Sequence, residues 1–160
     1  MDTTALLDER GVRYEKIEHR ATYGAQRLAH ELHIPGREVA KTVLLRANHG
    51  YEYLLAILPA EREIDFEKLS KALGGSKLEL ATEIEIAERF PDCEIGALPP
   101  FGSQYNTQSV MDESLLSDEQ IVFEGTSHKE AIRMKTSDYL KVEEPLIIPF
   151  AKEWASSSTN

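Results

Sequence analysis

The sequence contains one cysteine, Cys93, and has no long hydrophobic run. A single cysteine excludes an internal disulfide and is compatible with a reducing compartment. No apolar segment approaches the roughly 20 residues that a membrane-spanning helix needs. The acidic N-terminal stretch MDTTALLDERG does not have the pattern of a signal peptide. We therefore expect a cytoplasmic protein that has no membrane partner.

Several well-known chemical motifs are also missing, among them the P-loop, G-x-G-x-x-G, H-E-x-x-H and C-x-x-C. Cys93 lies in a PDCE turn without a neighbouring group that would activate its thiol. A metal hydrolase built on His30, His33 and His128 is conceivable. However, no acidic or cysteine cluster accompanies the two helix histidines, which favours a solvent-exposed helix face. We expect no metal and no cofactor.

Positive charge is scarce, with 18 Lys and Arg against 28 Asp and Glu and a net charge of −10. Broad binding to nucleic acid depends on many contacts between cations and phosphates, so the composition argues against it. A local pocket for the end of a nucleic acid remains compatible with this charge.

The chain reads as one domain over residues 1–154, with no internal repeat. The terminal segment ASSSTN, residues 155–160, is predicted to be a disordered tail from its composition and position.

The first half of the chain alternates between short helical and strand patterns. A short N-terminal helix precedes a strand at residues 13–18, and Thr22 is predicted to cap a helix that ends at Pro35. The segments VAKTVLLRA and YEYLLAILP flank Asn48-His49-Gly50, which predicts a β-hairpin.

The second half adds two capped helices and three strands. Asp65 is the expected cap of one helix, and Thr82 with Glu85 forms a capping box for another, over residues 83–89. Three strands are predicted in TQSVMD, QIVFEG and EAIRMK, before a last helical turn that Thr136 or Ser137 would cap and that runs to Leu140. The predicted fold class is α+β, with a mixed, mostly antiparallel sheet or a small barrel and helices packed outside.

Lys41 occupies an unusual place in the first hairpin strand, because it shares a face with Val43, Leu45 and Ala47. If that face is buried, the lysine points inward or into the mouth of a cleft. Its stem could cover apolar surface while the charge stays in water. Alternatively, its compact ammonium group could bind a phosphate or a substrate.

Two further segments are candidates for a site. The stretch EIGALPPFG, residues 94–102, cannot continue a helix or form a central strand, so it predicts a rigid turn that approaches the protein or a ligand closely. His128 follows Gly125 in EGTSHKEAIRM. It reads either as an exposed turn histidine or as a group that orients water or recognises a base.

Taken together, VAKTVLL, YLLAILPA, EIGALPPFG and VFEGTSHKEAIRM resemble, in this order and spacing, the YbaK/ProX family of aminoacyl-tRNA editing domains. These domains occur free-standing or inserted in bacterial prolyl-tRNA synthetases. The resemblance extends from about Tyr14 to Lys141. It implies a mixed, barrel-like fold and hydrolysis of the ester that joins a wrong amino acid to the 3′-terminal adenosine of tRNA.

The resemblance also implies roles for particular residues. Lys41, Gly96 and His128 match the catalytic positions, with Lys41 contacting the acceptor end. The G-x-x-x-P loop offers backbone groups and shapes the amino-acid pocket. Residues expected to bind the substrate are Thr42, Ala97, Leu98, Pro99, Pro100, Phe101, Gly125, Thr126 and, by a looser match, His19.

The implied substrate is a small non-cognate amino acid (Ala, Ser, Thr or Cys) on mischarged tRNA, with tRNA for proline as the expected carrier. Thr42 after the lysine is similar to the cysteinyl-tRNA deacylase branch, whereas PPFG and GTSH are similar to the alanine- and serine/threonine-clearing branches. The amino acid therefore stays open. A synthetase is a further expected partner. The alternative is a binding module for tRNA ends, a nucleotide or a synthetase without turnover.

Overall fold

A computed structural model describes residues 2–47 and 53–154. Within them the chain forms α1 (Thr3–Glu9), α2 (Ala25–Glu31), α3 (Phe66–Ala72), α4 (Glu83–Arg89) and α5 (Thr136–Glu143). The strands are β1 (Tyr14–Glu18), β2 (Ala40–Ala47), β3 (Tyr53–Pro59), β4 (Arg62–Ile64), β5 (Leu78–Leu80), β6 (Gln108–Asp112), β7 (Gln120–Glu124), β8 (Glu130–Lys135), β9 (Leu146–Ile148) and β10 (Ala151–Glu153). No helix in these ranges has the length and apolar character needed to cross a membrane.

The largest sheet has five strands in the order β5-β2-β3-β6-β9. Its β5-β2-β3 part is antiparallel, whereas β6 and β9 run parallel to their neighbours. A second sheet, β1-β8-β7, is antiparallel throughout, and β10 pairs with β4. The predicted α+β fold with a mixed, mostly antiparallel sheet is confirmed. Among the described residues the strands do not close into the small barrel that was the alternative.

The core fills the space on both faces of β3, which explains why YLLAILP is almost uniformly apolar. Ile57 packs with residues of the second sheet, such as Phe123 and Ile132. On the opposite face, Leu58 belongs to a cluster that includes Leu69 of α3. The sheet is therefore packed on both faces, with β3 at its centre.

Most local predictions agree with the structure. The β2–β3 hairpin is present, Asp65 accepts a hydrogen bond from the N–H of Lys68 at 3.0 Å, and the Thr82 capping box begins α4. The hairpin turn at Asn48-His49-Gly50 and the tail at 155–160 lie outside the described residues.

Two predicted helix caps are wrong. Helix α2 begins at Ala25 with Gly24 as its cap, because Thr22 instead donates its N–H to the carbonyl of His128 at 3.1 Å. Helix α5 is capped by Lys135 and continues past Leu140 to Glu143. Its last turn buries Val142 and Glu143, so packing extends the helix beyond what the local pattern indicated.

The edge of β2 creates the opening in which the candidate site lies. Strand β2 pairs with β3 along its length, but it pairs with β5 only at residues 45–47. Just before β2, Val39 bridges Val122 of β7. Residues 40–43 therefore face a gap between the diverging strands.

Candidate active site

A cavity of about 180 Å³, called here the β2 pocket, occupies this gap. It brings together four residues predicted from the sequence: Lys41, Thr42, Gly96 and Leu98. They come from a strand edge and from a loop that are far apart in the chain. The complete lining comprises Gly24, Ala25, Ala40, Lys41, Thr42, Val43, Gly96, Leu98 and Glu124.

Lys41 is half-buried beside this pocket. Its Nζ lies 4.6 Å from the centroid of the Trp154 ring, a distance that allows a cation–π interaction. Burial lowers the pKa of Lys41, and the charge of Glu63 acts in the opposite direction. The ammonium group is thus held against an aromatic face, in a partly desolvated position where it would bind an anion more strongly than it would in water.

Thr42 presents both its side chain and its backbone to the opening. Its Oγ1 is buried and has no hydrogen-bond partner in the described part of the chain. Leu44, two residues later, accepts a hydrogen bond on the outer edge from the N–H of Ala81. Because the backbone groups of a strand alternate between its two edges, the backbone of Thr42 faces that same outer edge, at the pocket.

Gly96 forms the opposite wall, and its backbone conformation is the reason that glycine is favoured there. Its φ is +87°, a region that other residues rarely adopt. A Cβ placed there would lie 3.4 Å from Cε1 of His128. The loop is held in place by the hydrogen bond from the N–H of Glu94 to the carbonyl of Thr126 at 2.8 Å. This hydrogen bond positions the Gly96 backbone against the turn that carries His128.

The second half of EIGALPPFG anchors the loop and does not line the pocket. Phe101 is fully buried and packs edge-to-face on Phe123 and Tyr139, with ring centroids 5.6 and 5.3 Å away. The Tyr139 hydroxyl donates to the carbonyl of Pro100 at 2.6 Å. Buried residues of the same segment that also lie outside the pocket lining are Ala97 and Pro99.

His128 is only 4% exposed, so its interpretation as an exposed turn residue is wrong. Its Nε2 lies 2.7 Å from the carbonyl oxygen of Ile95, and its ring is tilted against that of Tyr23 with the centroids 4.5 Å apart. Since a carbonyl only accepts, Nε2 carries the proton of this hydrogen bond. The other nitrogen, Nδ1, lies 3.4 Å from Oε2 of Glu124. His128 therefore supports the Gly96 wall from behind, and its catalytic role stays a prediction.

Glu124 is a pocket residue that the sequence analysis missed. It is 7% exposed, and its Oε2 has no hydrogen-bond partner among the described residues. Burial raises the pKa of Glu124 to about 7; His128 lowers it and Glu94 raises it further. The available signal was a carboxylate at the end of the apolar run IVF, directly before a glycine.

The remaining predicted residues do not line the β2 pocket. Gly125 and Thr126 line a separate cavity of about 230 Å³. His19 donates its N–H to the carbonyl of Lys129 at 3.0 Å, so it lies beside the turn that carries His128. In residues 2–47 and 53–154, no three His, Cys, Asp or Glu side chains are grouped as metal ligands would be. The grouping of His30, His33 and His128 is thus not formed.

Comparison with known proteins identifies the family to which this chain belongs. The model of the aminoacyl-tRNA editing domain family matches residues 19–142. The Ser/Thr-tRNA deacylase ProXp-y of Escherichia coli K12 is 26% identical over 151 residues, which cover 92% of this chain and 90% of that protein. The proline–tRNA ligase of Thermosipho africanus is 32% identical over 96 residues, which cover 60% of this chain and 17% of the ligase.

Solved structures show that the similarity includes the fold. The crystal structure of a candidate trans-editing enzyme for prolyl tRNA synthetase superposes with a TM-score of 0.82 at 20% identity. The superposition covers 93% of this chain and 94% of that one. With the family model matching most of its length, the chain belongs to the aminoacyl-tRNA editing domain family.

Proposed function

We propose that this protein is a trans-editing aminoacyl-tRNA deacylase, which hydrolyses the ester between a small non-cognate amino acid and the 3′-terminal adenosine of tRNA. The observation that carries the proposal is the β2 pocket, which joins Lys41, Thr42 and Gly96 in an editing-domain fold. At about 180 Å³ the pocket is smaller than the roughly 300–1,000 Å³ typical of sites for larger small molecules. It suits an aminoacyl group, with the adenosine outside its mouth.

The hydrolysis needs no metal, because an aminoacyl ester is already activated. Positioning of a water and stabilisation of the oxyanion by backbone N–H groups can suffice. Gly96 and Leu98 line the pocket, and their N–H groups donate to no acceptor within the described ranges, so both are available. A ribose hydroxyl of the substrate would assist proton transfer. The Lys41 ammonium group would bind the acceptor end of the tRNA.

The proposed substrates follow from the size of the pocket and from the relatives. ProXp-y is a Ser/Thr-tRNA deacylase by name, and ProX of Acetoanaerobium sticklandii is a prolyl-tRNA editing protein. A hydrophobic pocket distinguishes one methylene by only about 1–3 kcal/mol, so overlapping activities on small amino acids are expected. We propose tRNA for proline as the carrier, a synthetase as a further partner and the cytoplasm as the place of action.

The test is deacylation of a panel of aminoacyl-tRNAs, with and without a chelator. The panel contains Ala, Ser, Thr and Cys on tRNA for proline, and Cys on tRNA for cysteine. We expect chelator-resistant hydrolysis of one or two members, and a loss of about 100-fold or more in Lys41→Ala because the charged anchor is removed. The matched control is Lys71→Ala, which changes an exposed helix lysine paired with Glu67.

Two results would contradict the proposal in different ways. Unchanged turnover in folded Lys41→Ala would remove this lysine from the mechanism while leaving the activity in place. No hydrolysis of any member by folded wild type would favour the binding module. The net charge of −10 favours a module that binds a nucleotide or a synthetase, because it disfavours strong capture of tRNA by the isolated protein.

A further inference from the structure

Two residues that line the β2 pocket carry polar atoms that the ester chemistry does not use. Oε2 of Glu124 and Oγ1 of Thr42 are both buried, and neither has a hydrogen-bond partner in the described part of the chain. Both residues line the pocket. Resting on the proposed function, we infer that the Glu124 carboxylate, together with the Thr42 hydroxyl, binds the α-ammonium group of the aminoacyl substrate.

The charges around Glu124 explain why the missing partner is a cation. A buried carboxylate needs hydrogen-bond donors or a positive charge, and an ionised one can only accept hydrogen bonds. His128 is the nearest titratable neighbour, but its Nε2 proton is directed to the carbonyl of Ile95 at 2.7 Å. A second proton, on Nδ1, would pair His128 with Glu124 across 3.4 Å, whereas the neutral ring with its proton on Nε2 offers the carboxylate none.

Two other charged residues, Glu94 and Lys41, do not supply the positive charge that Glu124 needs. Glu94 accepts a hydrogen bond from the N–H of His128 at 3.2 Å, and its negative charge makes the surroundings of Glu124 less favourable for a second carboxylate. The ammonium group of Lys41 lies over the Trp154 ring. Every unblocked aminoacyl ester carries an α-amino group one carbon from the reacting carbonyl. Such a group, when charged, has three donors, enough for Glu124 and Thr42 together.

This assignment predicts a selectivity that depends on the charge of the substrate amine as well as on its size, and that Glu124→Gln would remove. An N-acylated aminoacyl-tRNA has no positive charge at this position, and its amide would offer the ionised Glu124 at most one uncharged N–H donor. The enzyme would therefore hydrolyse free aminoacyl esters and spare N-acylated ones, including the peptidyl esters that are intermediates of chain growth.

The experiment compares seryl-tRNA with N-acetyl-seryl-tRNA, using wild type, Glu124→Gln and Glu130→Gln at pH 8. Each enzymatic rate is divided by the spontaneous rate of the same ester, because acetylation also changes the reactivity of the ester. Glu130 is the matched control, since its carboxylate pairs with Lys16 at 3.1 Å outside the pocket. Circular dichroism checks that all three proteins are folded.

We expect wild type and Glu130→Gln to prefer the free amine by about tenfold or more after this correction, the size of one charged hydrogen bond. Glu124→Gln should lose about tenfold on seryl-tRNA but little on the acetylated ester, which brings the ratio close to one. An equal corrected rate on both esters in wild type, or an unchanged ratio in Glu124→Gln, would overturn the inference while leaving the deacylase intact.

A binding measurement separates this inference from the proposed function. The probe is 3′-serylamino-3′-deoxyadenosine, a stable amide analogue, with and without N-acetylation. If wild type hydrolyses no ester, the proposed function fails. Glu124-dependent preference for the free-amine analogue by about tenfold would still support the ammonium site, and equal affinity for both analogues would reject it.

Discussion

Gly96 shows how one residue serves both the backbone and the pocket. Its positive φ would strain any other residue, and its missing Cβ leaves room for the His128 ring. Gly74 has a similar φ of +80°, but nothing lies within 4 Å of the position of its Cβ. The two glycines therefore share the strain and differ in their surroundings, which makes them a matched pair.

We predict that Gly96→Ala and Gly74→Ala each lower the free energy of unfolding by about 1–2 kcal/mol, because both force alanine into a left-handed conformation. Only Gly96→Ala should also reduce deacylation, by about tenfold or more, because the strained backbone lies in the pocket wall and its new methyl group would contact His128. Urea unfolding and single-turnover rates measure the two effects. Equal turnover in both variants would mean that the loop is purely structural.

The candidate site could be predicted in part, and particular residues show why. Lys41 and Gly96 carry local signals, namely a charge on an apolar strand face and a glycine beside prolines. The local signal at Glu124, a carboxylate between an apolar run and a glycine, does not distinguish it, because a single carboxylate at a strand end is usually exposed. Its burial arises only when β7 packs near β2 and the 94–102 loop, and no local pattern contains that arrangement. Phe101 belongs to the same glycine- and proline-rich loop and was predicted to bind the substrate, but it packs in the core.

Asp112 connects three elements at the end of β6. Its Oδ1 accepts hydrogen bonds from the N–H groups of Phe150 and Ala151, both at 2.8 Å, and its other oxygen accepts from Ser114. Burial would raise the pKa of Asp112, but the hydrogen bonds from Ser114 and from the N–H groups of Ala151 and Phe150 outweigh it and lower the pKa. This carboxylate thereby fixes β10, which leads into Trp154 beside Lys41.

We predict that Asp112→Ala lowers the free energy of unfolding by about 2–4 kcal/mol, because it leaves several buried donors without an acceptor. The control is Asp2→Ala, which removes an exposed cap of α1 and should cost about 1 kcal/mol. Both are measured by urea unfolding at pH 7. Equal costs would mean that water replaces the buried acceptor.

The elements themselves were predictable where their signals are local. The hairpin, the capping box and the strands β6, β7 and β8 were confirmed because each has a repeating pattern or a specific cap. Strands of three residues, such as β4 and β10, are too short to show a period. The parallel placement of β6 beside β3 depends on tertiary packing, which explains why the order of strands did not follow from the sequence.

At the scale of the whole molecule, the net charge of −10 is expected to limit the number of tRNA phosphates that the protein contacts. We predict that the logarithm of the tRNA affinity falls with the logarithm of salt with a shallow slope of about −1 to −3, since few phosphates are neutralised. Lys41→Ala should reduce this slope by about one. Fluorescence anisotropy with labelled tRNA over a salt series measures both. A slope steeper than about −5 would indicate an extended basic surface.

The contact between Lys41 and Trp154 joins the beginning of β2 to a residue that follows β10. During translation the lysine leaves the ribosome long before its aromatic partner, and β10 can pair with β4 only after Ala151 has emerged. A nascent chain halted in α5 would therefore contain Lys41 but not the Trp154 ring that its ammonium group contacts. The surroundings of this ammonium group are thus completed only after Trp154 has been synthesised, more than a hundred residues after the lysine itself.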